Sequence, residues 1–304
     1  MEIFQYTPSM QALGTQFYNR LITDVPHCYP IGVEEFGVAV SGIPTGKADK
    51  NEGGLDSETA FVAITVGEVQ AFIHVGIGQV RNEDVGIIRF LNYERGARHA
   101  GQVVLEKAEA HLKAFGIIRI FAFRSNHRYR FYHFEYAQLS DALDQVHALL
   151  GFNGYHRCSG WVFLDWENYA VTPISAPIPV TLSVDWIQGR GQHPNSIIKA
   201  YRDGEEIGLC ESVSVGEYSS HPEAQDWFHT VYLEIEGEFQ GQGLGKFLLQ
   251  YALQEMKKIG YQHAVISTGW ADYRALLFYS NCGYRVVDWT YGYDKVLSES
   301  PMHN

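Results

Sequence analysis

The string Glu236-Gly-Glu-Phe-Gln-Gly-Gln-Gly-Leu-Gly-Lys246 lies between an apolar run, Phe228 to Ile235, and an amphipathic one, Gly243 to Ile259. Gly241, Gly243 and Gly245 remove side chains where a helix begins, so unpaired N–H groups and the positive helix end can surround a phosphate or pyrophosphate. The string is an anion cradle by construction. It lacks the Gly-Lys-Ser/Thr of a triphosphate loop, and its glycines are spaced too tightly for the dinucleotide fingerprint. Four cysteines, Cys28, Cys158, Cys210 and Cys282, have no short pair spacing, so neither a zinc knuckle nor a disulfide framework is indicated. Cys282, between Asn281 and Gly283 and without a recognisable partner, reads as structural, and no metal is expected.

The elements around this string repeat along the chain. In the second half, Ser196 to Tyr201 and Ile207 to Val215 flank Arg202-Asp-Gly-Glu205, a strong hairpin signal because Asp-Gly supplies positive backbone angles. After strand Phe228 to Ile235 the pattern predicts a helix from Gly243 to Ile259, ending in Lys257, Lys258 and Gly260 as the helix dipole favours. A strand (Ala264 to Ser267), a helix (Asp272 to Asn281) and a last strand (Tyr284 to Trp289) follow. The first half shows the same order: hairpin strands Ala60 to Thr65 and Val69 to Gly76, strand Val85 to Leu91, helix Gly101 to Phe115, strand Ile117 to Phe123, helix Asp141 to Leu150 stopped by Gly151, and strand Gly160 to Trp166. Two helices, Met10 to Val25 and Val33 to Val40, precede it. Lys113-Ala-Phe-Gly116 and Lys257-Lys-Ile-Gly260 occupy the same place in two copies of one helix-Gly-strand unit, which reads as a tandem duplication.

A chain of 304 residues accommodates two cores, and the aromatic content of 14% excludes disorder. Three prolines within 171–179 mark an extended linker between a first domain, 1–170, and a second, 180–304. The net charge of -12 argues against a protein that wraps nucleic acid and weakly favours a cationic partner. No window approaches a membrane span, and the N-terminus lacks an export signal pattern, so a cytoplasmic protein without membrane partners is expected.

With Gln240, Gly243 and Gly245, the cradle resembles the cofactor motif Gln/Arg-x-x-Gly-x-Gly/Ala of the GCN5-related N-acetyltransferase (GNAT) superfamily. Asp272-Tyr-Arg-Ala275-Leu-Leu-Phe-Tyr279-Ser-Asn-Cys-Gly283-Tyr284 is similar to that family's Asn-x-x-Ala-x-x-x-Tyr-x-x-x-Gly-Phe signature. The resemblance implies an α/β (α+β) fold: two tandem GNAT-like domains, each a mixed, mostly antiparallel twisted sheet flanked by helices. It implies acetyl-CoA as cosubstrate, with its pyrophosphate over Gly241, Gln242, Gly243, Leu244, Gly245 and Lys246 and its pantetheine arm along Leu233, Glu234 and Ile235. Tyr279 is then expected to protonate the departing thiolate, a role that suits a phenol of pKa about 10. Asp272 stands where the family has asparagine; an ionised carboxylate only accepts, which alters that cofactor contact.

The resulting expectation is acetyl transfer to a primary amine of a small molecule. The alternatives are a catalytically silent acyl-CoA-binding module, or acyl transfer from another donor. The amine must be neutral to attack, and some family members place a base where this chain has His229. Glu234 and Glu236 are alternatives, and two-residue alternation puts Glu234 on the opposite strand face from His229. In the first half, aligning the helices sets Gly96 against Gln240, His99 against Gly243 and Gly101 against Gly245, while His147 falls at the tyrosine position. This copy therefore reads as degenerate. Its two extra helices lead to the expectation that it covers the acceptor pocket of the other copy. The basic and aromatic segment Arg124 to Tyr136 reads either as a ligand platform or, better suited to the acidic chain, as a packed interdomain connector.

Overall fold

The computed structural model describes residues 1–41 and 55–297, and they divide into two compact units. Unit one comprises Met1–Trp161 together with the C-terminal stretch from Thr290, and unit two is Val162–Trp289.

In unit one the chain runs β1 (Glu2–Gln5), α1 (Gln11–Leu21), α2 (Val33–Ser41), β2 (Asp56–Thr65), β3 (Glu68–Val80), β4 (Glu83–Tyr93), α3 (Arg98–Ala114), β5 (Arg119–Ala122), β6 (Leu139–Ser140), α4 (Asp144–Phe152) and the start of β7 (His156–Trp166). Its sheet order is β1-β2-β3-β4-β5, completed by the C-terminal half of β13 (Arg285–Val296), on which β6 also pairs. Only β4 and β5 run parallel, as expected where a helix connects two neighbouring strands. Alternation along β2 and β3 sends aromatic rings to both faces. Phe72 and Phe90 meet Phe36 and Tyr18 beneath α1 and α2, at ring-centre distances of 5.7 and 5.5 Å, whereas Phe61 meets His111 of α3 on the other face at 5.7 Å.

Unit two repeats the plan with β8 (Thr181–Ile187), β9 (Asn195–Arg202), β10 (Glu205–Ser214), β11 (Trp227–Ile235), α5 (Leu244–Lys258), β12 (His263–Gly269) and α6 (Tyr273–Cys282). Its sheet order is β7-β12-β11-β10-β9-β8, again with one parallel helix-linked pair, β11 and β12. Apolar residues of α5 and α6 share a core with Val162, Leu164, Phe228 and Ile266, which places both helices on one face. Residues 188–194 join β8 to β9 without the two helices that unit one carries at that point.

The division differs from the one expected. Residues 171–179 are irregular, but they lie inside unit two, where Ala176, Ile178 and Val180 pack onto the α5 core. The last strand does not stop at Trp289: β13 continues to Val296, its final residues pairing with β5 of unit one, while Val162–Trp166 of β7 belong to unit two. Helix α4 runs through Gly151 and ends before Gly154, whose φ of +81° makes it the stop. Among the described residues no helix is long and apolar enough to cross a membrane.

Candidate active site

Strands β11 and β12 pair only from Trp227 opposite His263 to Thr230 opposite Ile266. At the next residue β11 bulges: Thr230 faces Ser212 and Tyr232 faces Glu211, leaving Val231 as the extra residue. Beyond it, Leu233, Glu234 and Ile235 are laddered to β10 alone, so their opposite edge presents backbone donors and acceptors to the gap between the strands. Two-residue alternation along Phe228 to Ile235 carries no sign of the bulge, which only the strand register reveals.

The open edge leads to the glycine loop. Gly241 and Gly243 have φ of +75° and +87°, values that only glycine takes without strain, and Gly243 is the N-cap of α5. The first helical bond runs from Phe247 N–H to the Gly243 carbonyl at 3.1 Å, so the N–H groups of Leu244, Gly245 and Lys246 point out of the helix end. Two side-chain amides brace the loop: Gln240 Nε2 donates to the Ile235 carbonyl at 2.8 Å, and Gln242 Nε2 to the Glu238 carbonyl at 2.9 Å. Lys246 is exposed in the first turn. Asp272 has a use of its own: its carboxylate accepts from the Ala275 N–H at 3.0 Å and caps α6.

Tyr279 projects from α6 and is buried, with its ring 5.3 Å from Phe278 and 6.4 Å from Tyr284. Burial pushes its hydroxyl far above the ordinary phenol range, and the Cys210, Asp272 and Cys282 groups push in the same direction. It is therefore a phenol that keeps its proton. Burial likewise raises the Cys210 thiol to about 12 and raises Cys282, so neither is a thiolate nucleophile near neutrality, as the structural reading of Cys282 requires.

His229 is fully buried on the other face of the sheet, its Nε2 3.0 Å from Ser267 Oγ and its ring 6.0 Å from Phe163. The expectation that Glu234 faces away from His229 is corrected here. Phe228 and Leu233 both pack towards α5 although an odd number of steps separates them, because the bulge at Val231 reverses the alternation. His229 and Glu234 therefore share a face, where Tyr232 Oη donates to Glu234 Oε2 at 2.5 Å. Glu236 is exposed just past the strand end.

Unit one keeps the frame without the cradle. Its β4 bulges at Arg89 and parts from β5 after Ile88, the equivalent step. There α3 begins at Arg98 directly after Glu94–Ala97, with Ala97 as N-cap, so residues that form the glycine loop in unit two are helical here. Arg89 turns inward to Glu58 at 2.7 Å, and Tyr129 stacks on Phe90 at 5.5 Å while its hydroxyl lies 2.8 Å from His74 Nδ1. Segment Arg124–Tyr136 is thus neither an exposed platform nor a connector; Tyr129, Phe131 and Tyr132 are part of the core of unit one. The tyrosine equivalence also shifts. Tyr284 N–H bonds the Tyr279 carbonyl at 3.2 Å, and Tyr155 N–H bonds the Leu150 carbonyl at 3.1 Å, so Leu150, not His147, matches Tyr279. His147 instead holds Tyr293 Oη at 2.6 Å and the Ser140 carbonyl at 2.9 Å.

Residues 156–284 match the acetyltransferase (GNAT) family model. No curated protein sequence matches the chain. Among solved structures, a tandem GNAT protein from the clavulanic acid biosynthesis pathway superposes with a TM-score of 0.65 at 12% identity, over 98% of this chain and 99% of that one. A GCN5-related N-acetyltransferase from Sphaerobacter thermophilus gives 0.63 at 11% identity, over 98% and 96%. The glucosamine N-acetyltransferase region of a fungal multi-domain β-N-acetylglucosaminidase gives 0.65 at 13% identity; 97% of this chain is covered, but only 38% of that larger protein. The family model thus matches the part of the chain that holds the glycine loop and α6, and nearly the whole chain shares the fold of solved GNAT proteins, one of them a tandem protein.

Proposed function

We propose that unit two transfers an acetyl group from acetyl-CoA to a primary amine of a small molecule, by direct attack and in the cytoplasm. The observation that carries this reading is the coincidence, at one strand end, of the parted strands β11 and β12, a helix start freed by glycines with positive φ, and the buried Tyr279 hydroxyl. These residues fit the cosubstrate: the cradle suits a pyrophosphate, and the open strand edge suits the amides of a pantetheine arm. Bound acetyl-CoA supplies an activated thioester.

The chain's own groups divide the remaining work. N–H groups of Leu244 to Lys246 hold the pyrophosphate, while Gln240 and Gln242 keep the loop in shape. The backbone at the Val231 bulge, outside the ladder, supplies a donor for charge developing on the carbonyl oxygen. As the carbon–nitrogen bond forms and the carbon–sulfur bond breaks, Tyr279 gives its proton to the departing sulfur. The proton lost by the amine passes to His229, directly or through water, with Glu234 and Glu236 as alternative acceptors. The excess of carboxylates, 35 against 23 lysines and arginines, favours a cationic acceptor, and the four free cysteines suit a reducing compartment.

A silent acyl-CoA-binding module is the second reading, favoured by the complete burial of His229. Release of CoA thiol on mixing with a panel of amines decides between them. The enzyme reading expects turnover that Tyr279→Phe slows at least 10-fold while CoA still raises the melting temperature. CoA binding with no thiol release from any amine would leave the module; no CoA binding would sink both.

A further inference from the structure

Strand β8 is the outer strand of the unit-two sheet, and among the described residues it pairs with β9 alone, from Thr181 opposite Tyr201 to Ile187 opposite Asn195. Its far side therefore carries a row of backbone N–H and C=O groups with no strand to meet them. Open edges are ordinarily guarded by shortness, by proline or lysine, or by a covering segment. The outer strand of unit one is short, four residues from Glu2 to Gln5. By contrast β8 has seven residues, none of them proline or lysine, and its last two side chains are open to solvent, Trp186 at 40% and Ile187 at 47%. The flanking chain is engaged elsewhere. Ala176 and Ile178 before the strand pack on the α5 core. After it, Arg190 N–H bonds Glu217 Oε1 at 2.8 Å and Gln192 N–H bonds Gln225 Oε1 at 3.0 Å, which ties residues 188–194 to the stretch between β10 and β11.

The side chains of β8 say which strand fits this edge. Centred on Val184, an antiparallel copy of the strand sets Leu182 opposite Trp186, Ser183 opposite Asp185 and Val184 opposite itself. By alternation Leu182, Val184 and Trp186 share one face, and Leu182 and Val184 already pack on the α5 core, so apolar side chains meet apolar ones there. On the other face the Ser183 hydroxyl can donate to the Asp185 carboxylate, the one charge on the strand. The neighbouring registers are worse. Centring on Ser183 sets Trp186 and Ile187 opposite Val180 and Pro179, and proline has no N–H for the ladder. Centring on Asp185 sets two carboxylates directly opposite each other.

We propose that β8 is a dimerisation edge whose partner is a second copy of this chain, the two strands pairing antiparallel about a two-fold axis at Val184. The contact is self-complementary, so at this edge it closes at two copies. Two Trp186–Leu182 contacts and the Val184 pair form its apolar centre, and the seven-residue ladder fixes its register. The inference stands apart from the acetyl-CoA reading, because no residue of β8 belongs to the glycine loop, to the open stretch of β11 or to α6.

The test uses the full chain. Light scattering and sedimentation are expected to find a species of twice the 34.4 kDa chain mass that dissociates on dilution. Trp186→Lys, which changes an exposed side chain, is expected to weaken that dimer at least roughly 10-fold. The register is read by cross-linking with a short bismaleimide, comparing Val184→Cys with Thr181→Cys, each combined with Cys158→Ser to remove the exposed native thiol. In the proposed pairing the two copies of residue 184 face each other at about 5 Å, whereas those of residue 181 lie roughly 20 Å apart, so only Val184→Cys is expected to cross-link. A wild-type chain that stays monomeric at every concentration would overturn the inference. So would a dimer indifferent to Trp186→Lys, or one that cross-links through Thr181→Cys and not through Val184→Cys. The cross-linking pair leaves Trp186 intact and therefore decides even where Trp186→Lys fails to fold.

Discussion

The glycine loop offers the sharpest quantitative test, because two of its glycines are there for different reasons. Gly243 has φ of +87° and ψ of 0°, and a methyl group placed on it would meet nothing closer than Pro177 at 3.9 Å. Space is therefore no obstacle to alanine, but conformation is: a side chain in the left-handed region costs about 1–2 kcal/mol. Gly245 has no positive φ, and an added Cβ would sit 3.5 Å from Ile235 Cγ1, an ordinary contact. Inside a helix, alanine is favoured over glycine by about 1 kcal/mol. Since Gly243 is exposed, the Gly243→Ala penalty falls on the loop geometry that points the N–H groups outward, which converts at 1.4 kcal/mol per decade to CoA binding weakened by roughly 5- to 30-fold. Gly245→Ala should bind CoA within about threefold of wild type and melt at the same or a higher temperature. Titration calorimetry with CoA reads the first quantity and differential scanning calorimetry the second. Equal affinity losses in the two variants would refute the argument that backbone conformation, not side-chain space, is what Gly243 provides; an unchanged Gly243→Ala would refute the placement of the pyrophosphate.

Two further outcomes follow from unit one. Its helix start lacks the glycine loop and Tyr129 is packed onto the parted strand, so calorimetry or native mass spectrometry should find one CoA bound per chain; a stoichiometry of two would contradict this. His74 is buried, and desolvation first, with Arg89 second, holds its imidazole well below the ordinary value of 6.5. The unfolded chain therefore takes up a proton that the folded one resists, and the stability contributed by neutral His74 is present above pH 6.5 and lost as pH falls below it. His74→Asn should flatten the fall in melting temperature between pH 6.5 and 4.5, and an unchanged slope would show that other groups set it.

Much of the frame was legible along the chain because it rests on local chemistry. Helices α5 and α6 follow from apolar periodicity and from their stops at Gly260 and Gly283, and the Asp203-Gly204 turn announces its hairpin. The cradle was equally legible, since glycines at a strand-to-helix junction express a backbone requirement that no distant contact modifies. Where the reading went astray, the cause was a single residue that local patterns do not register. The bulge at Val231 reversed the faces of β11 and brought Glu234 to the side of His229. Gly154, three residues beyond Gly151, ended α4, and the tyrosine equivalence moved from His147 to Leu150. The aromatic segment Arg124–Tyr136 reads from the acidic balance as a packed interdomain connector, but Tyr129, Phe131 and Tyr132 pack into the core of unit one and Arg124 is half-buried.

The exchange at the chain ends is of another kind. A deletion of residues 1–170, the natural test of whether unit one completes the acceptor side, would also remove Val162–Trp166, whose side chains Val162 and Leu164 belong to the core of unit two. Point substitutions in the full chain are therefore the informative route.

Residue order by itself determined the two-copy plan, the glycine loop and the tyrosine that follows it, because turns, caps and periodicity depend on neighbours a few positions away. Only the tertiary structure decided which side chains share a space. It parted β11 from β12, buried Tyr279, and stacked Tyr129 on Phe90 in unit one, because strand pairing and burial are settled between residues far apart in the chain.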